Sequence, residues 1–157
     1  MVKETSWVKD NQLNKIDLQP RAVIKELQEN IKGLTSKASL KVGFFESSRY
    51  DTGNYVAEVA RDNEFGTLKI PPRPFFRNAT DENTKKWVDF LGRDLVETND
   101  AGISYNRLGE IARGDIVESI TKLNTPPNAQ RTIEQKGSSN PLIDTGFLRA
   151  NVTFKVD

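Results

Sequence analysis

The chain of 157 residues contains no cysteine, no histidine and a single methionine. Without thiols there is no disulfide, no thiolate metal site and no cysteine nucleophile. Without imidazole the commonest general base and the commonest transition-metal ligand are missing as well. Most hydrolase and metalloenzyme designs are thereby removed. No apolar run approaches the roughly 20 residues of a membrane span, and residues 1–15, MVKETSWVKDNQLNK, lack the apolar centre of a signal peptide. Neither sign of charge dominates: 23 Lys and Arg against 22 Asp and Glu leave +1, with no overall pull toward nucleic acid. These absences predict a protein that works in the cytoplasm or is assembled there.

What remains is an ordinary globular balance of 36% hydrophobic and 29% charged residues. Its length fits one domain with a real core. Residues 1–41 carry eight basic and five acidic residues, and residues 42–120 carry ten and fourteen. Such a basic end and acidic middle could suit head-to-tail packing of subunits, but ordinary surface charge is the better reading. Residues 1–14 show no sustained periodicity and read as a flexible arm before a single domain over 15–157.

Within that domain, Lys15–Leu18 alternates as a short strand. Pro20 opens a helix whose stripe is Val23, Ile24, Leu27, Ile31 and Leu34, ending near Gly33. Ser39–Phe45 reads as a strand with Leu40, Val42 and Phe44 on one face, stopped by the turn-rich Ser47–Asn54. A short helix follows, with Tyr55, Val56, Val59, Ala60 and Phe65 inward and Asn54 or Asp51 as its cap. Thr80 is placed to cap the next helix, Asp81 and Glu82 filling its first turn and Trp87, Val88, Leu91 and Leu95 forming its stripe beside Phe90. Thr98–Gly102 breaks it. A further helix runs from about Ser104 to Leu123 on Leu108, Ile111, Ala112, Ile116, Ile120 and Leu123. Residues 124–140 form a long polar loop, a length more often functional than incidental, and Asn151–Val156 closes the chain as a strand. The fold class expected is α+β, a small antiparallel or mixed sheet packed with about four helices.

The candidate chemistries are sparse. Asp144–Gly146 matches an aspartic-protease triplet, but the long β-rich framework of that chemistry is absent, and a turn or helix cap is the better reading. Asp51, Asp62 and Glu64 match no metal-loop spacing and read as solvated surface. The segment Asn63–Thr80, NEFGTLKIPPRPFFRNAT, stands out, with three prolines and three phenylalanines beside Arg73 and Arg77. Phe75 and Phe76 suit stacking on single-stranded nucleic acid, an interface between subunits, or the domain's own core. Local chemistry leaves these three open.

Two separated blocks then agree. YVAEVARDNEFGT…IPPRPFFR, Tyr55–Arg77, and PPNAQRTIEQKGSSNPLIDTGFLRANVTFKV, Pro126–Val156, together resemble the signature of tailed-phage virion-morphogenesis, minor tail or tail-completion proteins of the neck. The matching positions are Tyr55, Glu64, Phe65, Gly66, Ile70, Pro71, Arg73, Pro74, Phe75 and Arg77, then Thr132, Lys136, Gly137, Ser138, Pro141, Leu142, Asp144, Thr145, Gly146, Leu148 and Arg149. The blocks cover about a third of the chain, in the family's order. The approach to Glu64 is longer than is common, and a tryptophan often found before the proline near 127 is missing. The resemblance implies a non-enzymatic virion protein without cofactor, made in the host bacterial cytoplasm. It implies a ring, hexameric in the family, that contacts connector or adaptor and tail-terminator or tail-tube proteins, with neither membrane nor specific nucleic acid as partner. Tail terminator or another minor tail protein is the near alternative, and a single-stranded nucleic-acid module the distant one. The candidate assembly residues are Arg73, Phe75, Phe76, Arg77, Arg131, Lys136 and Arg149.

Overall fold

Long-range pairing decides how the two ends of the described chain meet. A computed structural model describes residues 25, 38–46, 48–136 and 139–157. The arm over 1–14, the strand at Lys15–Leu18 and, apart from the helical Lys25, the helix begun by Pro20 lie outside the described residues. Strand β1 is Leu40–Gly43 and pairs antiparallel with the last strand, β2, Thr153–Val156, so that Val42 faces Phe154 and Gly43 faces Thr153. Both strands are shorter than their alternation predicts, because Phe44 and Phe45 leave the ladder and Val152 turns into the core.

Five helices separate the strands: α1 Val56–Phe65, α2 Phe75–Thr98, α3 Ala101–Lys122, α4 Gln130–Lys136 and α5 Phe147–Ala150. Among the described residues this is a mostly helical α+β domain built on a two-stranded antiparallel sheet. Helix α3 is its axle. It packs against α2, both strands and α5, and Leu108, Ala112, Ile116 and Ile120 recur on its buried side at the spacing of one helix face. Val56, Ala60, Phe75, Ala79, Leu142, Leu148 and Val152 complete the core, with Phe44 set edge-on to Phe75 at 6.1 Å between ring centroids. Between α2 and α3, Asp115 accepts from Trp87 Nε1 at 2.7 Å and pairs with Lys86 at 2.6 Å, tying the two long helices partway along.

Three boundaries differ from the sequence reading. Helix α2 begins at Phe75, with Pro74 in the N-cap position, and Thr80 lies inside it, its hydroxyl donating to Phe76 O. Helix α3 begins at Ala101, capped by Asp100, which accepts the Ile103 amide at 3.0 Å. No side chain caps α1, so neither Asn54 nor Asp51 does so. The faces differ too. Val56, Ala60 and Glu64 form the buried line of α1, while Phe65 is 65% exposed; on α2, Val88 is 63% exposed and Asp94 is buried.

Gly109 is fixed by close approach. A Cβ there would stand 2.3 Å from Phe154 Cδ2 and 2.6 Å from its Cγ, so β2 reaches α3 only over a glycine. Gly109→Ala should cost about 1–2 kcal/mol net. That is an overpacking penalty of about 1–3 kcal/mol partly offset by roughly 1 kcal/mol of better helix propensity. Urea unfolding checks it, and adding Phe154→Leu should recover much of the loss.

Candidate functional site

The prolines of the Asn63–Thr80 segment set up a site in which side chains and backbone share the work. Helix α1 ends at Phe65 and is followed in the C-cap position by Gly66, whose φ of 76° and ψ of 170° suit glycine almost alone. A Cβ there would lie 2.9 Å from Ile70 O and Pro72 N. The turn that follows is closed by the Thr67 amide donating to Ile70 O at 2.8 Å, while Thr67 Oγ1 accepts the amides of Lys69 and Ile70. Pro71, Pro72 and Pro74 then carry the chain to α2 with few accessible conformations. The result is a stiff projection with Leu68 fully exposed at its apex.

Glu64 anchors this projection to α2. Glu64 is 5% exposed. It accepts the Phe76 amide at 2.8 Å and the Arg77 amide at 3.2 Å, while Arg77 Nε donates to it at 2.8 Å. A helix N-terminus leaves its first amides without partners, and here a residue twelve positions earlier than Phe76 supplies the acceptor and a negative charge at the positive end of the dipole. The expectation that Glu64 is solvated surface is therefore corrected. Asp51 is exposed, Asp62 pairs with Arg61, and no group of three candidate metal ligands occurs among the described residues.

Arg73 joins the two motif blocks. It is 6% exposed. Its Nε donates to Pro126 O at 3.1 Å, Nη1 to Asn63 Oδ1 at 3.2 Å, and Nη2 to Asn128 Oδ1 at 3.1 Å and Pro127 O at 3.5 Å. Its own amide donates to Asn63 O at 2.6 Å. Burial pushes this guanidinium below its ordinary range, and neutral acceptors alone surround it among the described residues. The acceptors belong to two segments more than fifty positions apart in sequence. Asn140 continues the clasp: its Nδ2 donates to Thr121 O, and its Oδ1 accepts the amides of Leu142 and Ile143. Among its described residues, the 124–140 segment is thus not a structureless loop: it holds α4 and is fastened at Pro126–Asn128 and at Asn140.

Between the joined blocks lies an open cleft of about 740 Å³, lined by Ile70, Pro71 and Arg73 of the first and by Asn128, Leu142 and Asp144 of the second. Tyr50 lines it, its ring tilted on Phe147 at 4.9 Å, and burial followed by the charge of Asp144 holds its hydroxyl above the usual tyrosine range. At the mouth of the neighbouring loop, Arg49 stacks over the Tyr55 ring at 3.6 Å and bonds its hydroxyl.

Of the residues singled out from sequence, Arg73, Phe75, Phe76 and Arg77 gather at the start of α2. Phe75 is 1% exposed and belongs to the core; it offers no ring face to a base or a neighbour. Phe76 is half-buried against the core, near Gly43. Arg77 keeps its guanidinium half in solvent, over the Phe65 ring at 5.3 Å. Arg131 on α4 is exposed, as is Arg149 on α5, whose guanidinium folds back toward Gly146; neither lines the cleft. Lys136 closes α4, and its side chain lies outside the described residues. Gly146 is left-handed immediately before α5, so Asp144–Gly146 is a turn into a helix. The residues that sequence reasoning missed are Asn63, Asn128 and Asn140. Asparagine is an ordinary turn residue, and nothing local marks one whose carbonyl meets a remote arginine.

Compared with models of known protein families, with curated proteins and with solved structures, the chain matches none. The family resemblance rests on the two motif blocks.

Proposed function

We propose that the protein is a non-enzymatic structural component of the head–tail junction of a tailed phage, a neck or tail-completion protein that works as a ring joining connector and tail. The observation that carries this reading is the use made of the motif residues. Glu64, Gly66, Arg73, Pro74 and Phe75 are spent on holding backbone and core in place, whereas a catalytic centre keeps its polar groups open to a substrate. Stiffness of this kind suits a part that must present fixed surfaces to neighbours, because little ordering entropy is then lost on docking. Partners are the connector or adaptor on one side and the tail-terminator or tail-tube protein on the other. The site of action is the virion, after assembly in the host cytoplasm.

Silencing the gene during infection tests the proposal. Filled heads and finished tails should accumulate unjoined, and added protein should restore joining. Normal virions in the silenced infection would remove it.

A further inference from the structure

Two exposed apolar patches occupy opposite ends of the α2–α3 hairpin. At the first end are Phe65, 65% exposed, and Leu68, fully exposed, on the stiff turn fastened to the start of α2. At the other are Val96, 83% exposed, and Ile103, 48% exposed, each within four residues of the Asn99–Asp100 turn. From Phe75 to Val96 the helix advances about 31 Å at roughly 1.5 Å per residue. The two patches cannot serve one contact.

Their charges are opposite. Residues 65–77 carry Lys69, Arg73 and Arg77 and no acid, while residues 94–103 carry Asp94, Glu97 and Asp100 and no base. Arg73 is buried, Arg77 pairs with Glu64, and Asp94 pairs with Arg107 at 2.9 Å. Arg77 stays half in solvent but paired; what each end leaves in solvent outside an ion pair is Lys69 at the first and Glu97 and Asp100 at the second, with Arg107 close enough to Glu97 to feel its charge. The Lys69 ammonium has no partner among the described residues.

Both ends are also rigid. The first is held by the Thr67 bonds and the prolines. In the second, Asn99 adopts the left-handed conformation, its amide donating to Leu95 O, and the Thr98 and Ser104 hydroxyls lie 2.8 Å apart.

We propose that the hairpin links copies of this chain head to tail, with Phe65 and Leu68 of one subunit seated on Val96 and Ile103 of the next and Lys69 facing Glu97 and Asp100. Pairing of like ends would set lysine against lysine, or carboxylates against carboxylates. A contact between unlike ends is heterologous, and it closes into a ring or runs on as a filament. This names the subunit contact of the proposed ring and rests on that reading.

The absence of cysteine allows a direct test. In the full chain carrying Leu68→Cys and Val96→Cys together, a short bis-maleimide should give a ladder of covalent dimers, trimers and higher species. Either single variant should stay monomeric on the gel. Lys69→Glu and Glu97→Lys should each weaken association about tenfold, and mixing the two should restore it.

A covalent dimer from Leu68→Cys alone overturns the proposal. So does a double variant that stays monomeric on the gel, whether or not light scattering finds the wild type multimeric. If gene silencing still leaves heads unjoined while the ladder fails, the neck role stands and this contact falls. If the ladder forms but virions are normal after silencing, the contact stands and the neck role falls.

Discussion

Arg73→Ala should unfold in urea with a stability loss of about 3 kcal/mol, and its melting temperature should fall by roughly 10 °C at about 2–4 °C per kcal/mol for a domain of this size. A hydrogen bond to a charged group contributes about 1.5–3 kcal/mol, and this guanidinium makes four through its side chain. The open cleft lets water reach part of the abandoned site, which keeps the total below the simple sum. The loss should also be local. Amides of Thr132 and Ile133, which donate to Ala129 O beside the clasp, should exchange much faster, while amides in the middle of α2 and α3 should keep the protection set by global unfolding. Arg73→Lys should recover less than half, because one ammonium cannot meet acceptors on four residues of two segments. Uniform acceleration across the chain would contradict the clasp.

Glu64→Ala should cost about 2–3 kcal/mol. An N-cap is worth about 0.5–2 kcal/mol, and here the two capped amides are joined by a partly buried ion pair. Fraying should begin at Phe76 and reach Phe75, whose carbonyl is held from the other side by Ser119 Oγ at 2.7 Å. Glu64→Gln keeps an acceptor oxygen without the charge and should lose about half as much. The check is a chemical denaturation series read with hydrogen exchange at the first turn of α2. Equal stability of all three proteins would show that the buried carboxylate contributes nothing there.

These two residues also show where the sequence was legible. Periodicity located α1, the body of α2 and nearly all of α3, since each buries a recurring face on one core. It placed both strands as well, because alternation survives even in four residues. The start of α2 was misread because Thr80, Asp81 and Glu82 have the composition of a helix opening. The working cap is Glu64, brought in by a turn and three prolines, and no local window contains both ends of that bond. Phe65 took the inward place in the pattern, although the spacing of Val56, Ala60 and Glu64 puts a carboxylate there.

The site was legible in outline only. The motif blocks indicated which segments matter, and Arg73 was among the residues named. Its asparagine and carbonyl partners in the 124–140 segment follow from tertiary closure. Helix α4, seven residues long, is too short to declare itself by apolar period. Phe75 shows the same limit: its chemistry fits a core, a neighbour or a base equally well, and burial alone distinguishes them.

Electron cryomicroscopy of the virion neck tests the central claim most directly. A ring of subunits between connector and tail is expected, each fitted by the α2–α3 hairpin with its basic apolar end against the acidic tip of the next. A neck whose density is fully accounted for by other chains, with this protein absent from the purified virion, would contradict it.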